Sequence, residues 1–133
     1  MSKQVVNPGT VHAPTGYSHA VVKAGAPVFI AGQVALSPEG RLVGRDDPAA
    51  QAVQAFENVK AVVEGCGGAM SDVVKLTVYT VAREHRGVIN EARARHFEDG
   101  EFPASTFVVI SSLAMPEFLV EIEAVAMLDA PGA

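Results

Sequence analysis

Only one cysteine, Cys66, occurs in the 133 residues. That excludes an internal disulfide and any CxxC redox or metal pair. Cys66 lies in EGCGGAM, a turn-like segment with no histidine beside it, and reads as a small residue near a loop rather than a reactive thiol. Charge is also scarce: charged residues make up 19% of the chain, against about 25% in a typical domain. The ten basic residues are scattered and the net charge is −5. Nucleic-acid binding ordinarily needs a basic stripe that displaces counterions, so this balance weighs against it. No apolar run reaches the length of a membrane span, and the N-terminus lacks a basic-then-apolar leader. A soluble, cytoplasmic protein without a membrane partner is the expectation. The chain also lacks GxGxxG, a P-loop, HExxH and GxSxG. His12, His19, His85 and His96 do not have metal-ligand spacing. Even if one helix carried His85 and His96, they would stand about three turns apart, too far to share an ion. A solvated His85 and a partly buried His96 are expected.

Apolar material is plentiful, at 49%. The length suits one domain, 1–133, able to bury about two-thirds of the surface its unfolded chain exposes. So many apolar residues and so few charges imply a greasy patch, most simply hidden by oligomerisation. The tail DAPGA, 129–133, reads as a short flexible end.

Residues 18–36, SHAVVKAGAPVFIAGQVAL, read as two strands joined at AGAP, with Gly32 marking a bulge or a close backbone approach. The clearest helix begins at Asp47–Pro48, a cap followed by proline in the first turn. Ala52, Phe56, Val59 and Val63 form its stripe, and Gly65, Gly67 and Gly68 end it. SDVVKLTVYT, 71–80, alternates as a strand, with Val74, Leu76 and Val78 on one face and Val73, Lys75, Thr77 and Tyr79 on the other. Residues 83–100 predict a second helix with Ile89, Ala92, His96 and Phe97 on its apolar side. ASTFVVISSL and EFLVEIEAVAML are two further strands around AMP. The order β-β-α-β-α-β-β implies an α+β sheet with both helices on one face. A second subunit is the natural cover for the other face. LVEIEAVAML places Glu121 and Glu123 on one strand face. A solvated face explains at least one of them. A carboxylate covered by another subunit becomes a plausible general acid or base, because desolvation raises its pKa.

Taken together, GYSHAVV, FIAGQVAL, QAVQAFENVKAVVEGCGG, SDVVKLTVYT, VINEARARHF, FPAST and VEIEAVA resemble, in order and spacing, the Rid/YjgF family, also called endoribonuclease L-PSP. The resemblance runs from about Tyr17 to Met127. It implies a chorismate-mutase-like mixed sheet with two helices on one face. It also implies a homotrimer with a barrel-like core and sites in clefts between subunits. The activity it implies is cofactor-free and metal-free hydrolysis of reactive imines or enamines, a deaminase reaction releasing ammonia. By the same resemblance Glu121 orients the attacking water. Tyr17, Gly32 (with Gln33), Asn90, Ser105 and Phe107 fall at substrate-binding positions.

Three of these positions depart from the deaminating pattern. Ser105 stands where an arginine clamps the substrate carboxylate, Phe107 where a cysteine is common, and Ala31 where a serine precedes the Gly-Gln pair. The departures imply a more apolar pocket, suited to a ligand without that carboxylate or one that binds it differently. The expected function is therefore hydrolysis of a small imine, enamine or related metabolite, other than standard 2-imino acid deamination. The alternatives are a non-catalytic metabolite-binding trimer and, with little support, a ribonuclease.

Overall fold

The computed structural model describes residues 3–129. Apart from Asp129, the expected flexible tail lies outside the described residues. Eight elements follow in order: β1 Gln4–Val6, β2 Ala20–Val22, β3 Ala26–Gln33, α1 Pro48–Gly65, β4 Val73–Thr80, α2 Arg86–Ala94, β5 Ala104–Val109 and β6 Val120–Leu128. Beyond the expected order there is one more strand, β1, which pairs antiparallel with β2 in a small separate sheet. The main sheet runs β3-β6-β4-β5, antiparallel except for the parallel β4–β5 pair that α2 connects.

Helix α1 forms for the reasons its sequence offers. The Asp47 carboxylate accepts the Ala50 amide at 3.1 Å, and Pro48 opens the first turn. At the other end the Gly67 amide donates to Glu64 and the Gly68 amide to Val63, both at 3.0 Å. This is a Schellman closure, and Gly67 at φ 90° supplies the left-handed residue it requires. Cys66 lies exposed at this cap. Ala52, Phe56, Val59 and Val63 are all fully buried, as the stripe predicts, with Ala55 beside them.

The covered sheet face contributes Ile30, Leu76, Val78, Val120, Ile122, Ala124 and Ala126 to the core, and α2 adds Ile89 and Ala92. β4 departs from simple alternation. Its register against β6 shifts between Val73 and Lys75, so Val73 turns inward and is fully buried. A bulge adds one residue, and everything before it changes face. Helix α2 is also shorter than expected and follows a 3-10 turn at Arg83–His85. It stops at Ala94, where the next amides, Arg95 and His96, bond three residues back to Ala92 and Arg93. His96 and Phe97 still reach the core side. The His96 ring stacks on Phe56 with centroids 5.6 Å apart. Contrary to expectation, His85 is not a freely solvated histidine: its Nδ1 pairs with the Thr80 hydroxyl at 2.8 Å.

Gln51 joins the core for a polar reason. It is fully buried, donates to the carbonyls of Gly44 and Glu117 at 3.0 Å each, and accepts the Leu119 amide at 2.9 Å. One side chain thus pins the loop before α1 and the entry to β6. Gln51→Ala leaves the Glu117 carbonyl and the Leu119 amide without this partner, each costing about 1–3 kcal/mol, while the Gly44 carbonyl keeps the Asp47 amide at 3.0 Å. The expected result is a loss of at least about 2 kcal/mol in urea unfolding, and a change under 0.5 kcal/mol would contradict this role.

Candidate functional site

The two ends of the sheet hold different halves of the expected site. At the β3 side, Ile30 pairs with Ala124 and Gln33 with Ile122, so β3 carries one residue more than β6 between those pairs. This is the bulge that Gly32 suggests, and it leaves Ala31 and Gly32 outside the ladder. The Glu121 side chain lies directly over Gly32. A Cβ built there would meet Glu121 Oε2 at 2.2 Å. Glycine here leaves room for the carboxylate, and any larger residue must push the Glu121 side chain aside. Gly32 and Gln33 also line a cavity of about 380 Å³ with Leu36, Pro38 and Asn58.

The paired glutamates separate in role. Glu123 accepts a short hydrogen bond from the Tyr79 hydroxyl. Glu121 has no hydrogen bond or ion pair among the described residues. Both project from the bare face of the sheet, away from the helices, among Phe29, Val125 and Met127. Phe29 is 78% exposed. The hydrogen bond to Glu123, followed by burial, raises the Tyr79 pKa above its ordinary value. Burial lowers that of Lys75, whose ammonium donates to the Thr106 hydroxyl at 2.6 Å.

At the opposite edge, Tyr17, Asn90, Ser105 and Phe107 do come together, lining a cavity of about 300 Å³ with Thr15, Arg86, Arg93 and Thr106. Ser18 builds this wall. Its amide bonds to the Pro103 carbonyl at 3.0 Å and its buried hydroxyl to the Phe102 carbonyl, which docks the 15–18 loop onto the start of β5. Tyr17 is held further by His12, whose Nε2 lies 2.8 Å from the Tyr17 hydroxyl. His12 and His19 pack edge to face at 4.8 Å. Among the described residues no three His, Cys, Asp or Glu side chains cluster as metal ligands.

The cavity is not the charge-poor pocket that Ser105, Phe107 and Ala31 imply. Arg93 projects from α2 and places its guanidinium where the residue-105 side chain points. One Nη donates to the Ser105 hydroxyl at 3.2 Å and the other to Asn90 Oδ1 at 3.1 Å. The Arg93 residue is only 5% exposed. Its pKa is lowered by burial and then by the neighbouring Arg86. A signal for Arg93 was present in the sequence: it lies four residues after Ile89, within the same helical stripe as Ala92.

Glu121 and Ser105 stand on β6 and β5 with β4 between them, two strand spacings of about 4.8 Å each, and they are also offset along the strands, since Glu121 pairs with Tyr79 and Ser105 with Leu76. Within one chain the predicted residues therefore do not form a single site.

An α+β fold with a four-stranded mixed sheet and two helices on one face defines the class. The profile of the endoribonuclease L-PSP family matches residues 10–128, and the chain belongs to that family, the Rid/YjgF proteins. A RutC family protein of Pyrococcus horikoshii is 35% identical over 93% of this chain and 97% of its own length. A Rid family protein of unknown function from Yersinia pestis superposes with a TM-score of 0.90 at 38% identity, covering 96% of this chain and 100% of that one. RidA from an Antarctic Psychrobacter species gives a TM-score of 0.72 at 35% identity, covering 94% and 99%. Among the described residues no helix is long and apolar enough to cross a membrane.

Tyr79 offers a direct check on the bare face, since the chain has only two tyrosines. In a Tyr17→Phe background the remaining phenol should titrate above about 10, its ordinary value, and Glu123→Gln should bring it back down. A group whose folded pKa is raised contributes stability below its unfolded pKa and loses it as pH rises through the folded one. The Tyr79–Glu123 bond therefore supports the fold up to about pH 10 and fades above it. An unshifted absorbance titration at 295 nm would contradict the pairing.

Proposed function

We propose that the protein is a Rid-type hydrolase that deaminates a small imine or enamine, in a site that two copies complete. What supports this reading is the division of the site. Glu121 and the Gly32 bulge lie toward the β3 edge, while Tyr17, Asn90 and Ser105 line a cavity at the β5 edge. Opposite edges of one chain meet when copies associate head to tail, and such a contact forms a ring where its rotation closes. A homotrimer of this kind also covers Phe29 and the rest of the bare sheet face.

The chemistry asks little of the protein. Water adds to the carbon of the protonated imine while Glu121 accepts its proton, giving a neutral carbinolamine. Glu121 then returns that proton to nitrogen, and ammonia leaves as the hydroxyl gives up its own proton and the carbonyl forms. An imine and one water thus become a carbonyl compound and ammonia, with no redox step. A carboxylate free of other partners, on an apolar face that a second copy desolvates, is suited to this role. The Ala31–Gly32 backbone, released from the ladder by the bulge, can donate to the developing oxygen. The second reading, metabolite binding without turnover, draws on the cavity alone and gives Glu121 no role.

Two measurements test the proposal. Glu121→Gln should reduce ammonia release from freshly generated imines by about 10²–10⁴-fold. Gly32→Ala, which pushes the carboxylate aside, should reduce it while leaving the melting temperature nearly unchanged. Wild-type protein inactive on every imine, with ligand affinity indifferent to Glu121→Ala, would favour the binding reading. The assembly should sediment as three chains of 13.9 kDa each, and Phe29→Asp should yield folded monomers. A wild-type monomer at micromolar concentration sinks the shared site.

A further inference from the structure

Arg93 has a charge without a counter-charge. A guanidinium carries five N–H donors, and Arg93 uses two of them, both on neutral oxygens. Its Nε is buried and has no hydrogen-bond partner. Among the described residues no carboxylate lies within ion-pair distance of it, and Arg86 on the same cavity wall also lacks an acidic partner. An isolated buried guanidinium is costly unless something anionic neutralises it. Everything around it instead fixes its position. Asn90 and Ser105 orient the fork, and the backbone of the 15–18 loop closes over it, so that a Cβ at Gly16 would sit 3.1 Å from Arg93 Nη2.

We propose that Arg93 is the specificity-determining anion anchor of this cavity, taking the carboxylate of a small organic ligand in place of a cation at residue 105. It rests on the reading of the cavity as half of the site. A planar fork lining a small half-open cavity matches a planar carboxylate, which it can meet with two parallel N–H···O bonds. Arg86, exposed at the mouth, adds attraction without enclosure. Loss of arginine from the strand has therefore not removed recognition of carboxylates; the guanidinium comes from the helix instead. The ligand approaches along a different line, and its reacting carbon lies in a different place relative to Ser105.

Binding is measured directly, without turnover, so that failure here and failure of the hydrolase reading remain distinct. The probes are pyruvate, its neutral isostere pyruvamide, and inorganic phosphate, followed by calorimetry and by the Arg93 Nε–H resonance of the wild-type protein. Pyruvate should bind at least about tenfold more tightly than pyruvamide, the scale of one charge-assisted hydrogen bond, and shift that resonance. Arg93→Gln should abolish the preference, Arg93→Lys should restore part of it, and Arg86→Gln should weaken it only slightly. The proposal is overturned if acid and amide bind alike, if the resonance ignores pyruvate, or if phosphate binds more tightly than pyruvate. It is equally overturned if no pyruvate binds while Arg93→Gln dissociates the oligomer, since Arg93 would then pair with an acid of a neighbouring copy. Should Arg93→Gln fail to fold, the wild-type titrations and Arg86→Gln still decide.

Discussion

Two helices can cover only one face of a four-stranded sheet. The side chains on each strand alternate, so whatever packs beneath α1 and α2 leaves its neighbours on the other side. Here the covered face is apolar from Ile30 to Ala126, with the buried Thr80 as a polar member. The bare face mixes Phe29, Val125 and Met127 with Glu121, Glu123, Lys75 and Tyr79. A purely solvated face would not carry a phenylalanine 78% exposed. A purely packed interface would not carry two carboxylates. A face of both kinds suits a surface that associates and yet keeps polar groups at the seam.

The sheet order gives that seam its chemistry. β6 and β4 occupy the centre, which leaves β3 and β5 as edges. Both edges are irregular where the candidate residues lie. β3 bulges at Ala31–Gly32, and β5 is overlaid at its start by the 15–18 loop through Ser18. Irregular edges resist open-ended strand pairing with other chains. Each edge also brings its own polar groups, Glu121 over Gly32 beside β3 and Ser105 with Arg93 at β5.

Much of the fold was legible because it follows from period and punctuation. The α1 stripe, its Asp47 cap and its glycine closure are local, and the structure repeats them. The Gly32 bulge was also legible, since a lone glycine inside a β-prone run has few other uses. The fully buried Gln51 was not. Glutamine on a helix reads as solvated, and its three partners, Gly44, Glu117 and Leu119, are brought to it by tertiary folding alone. Val73 escapes the alternation because a bulge reverses it without any mark in composition. Arg93 is the intermediate case. In EARARHF two arginines stand two residues apart, and composition makes them alike. Helical phase separates them: Arg93 follows Ile89 by one turn and turns inward, while Arg95 remains exposed.

That phase changes what Ser105 means. Considered alone, serine at this position is a lost charge, and the pocket should be apolar. Beside Arg93 it is the residue that makes room. Two guanidinium groups about 4 Å apart repel by roughly 4 kcal/mol at an effective dielectric constant of 20, and neither could use the other as a hydrogen-bond acceptor. Arginine at 105 therefore disfavours an inward Arg93, whereas a serine hydroxyl accepts from Arg93 at 3.2 Å. In this chain the charge sits on the helix and the strand supplies its acceptor, so Ser105 and Arg93 are interpreted together.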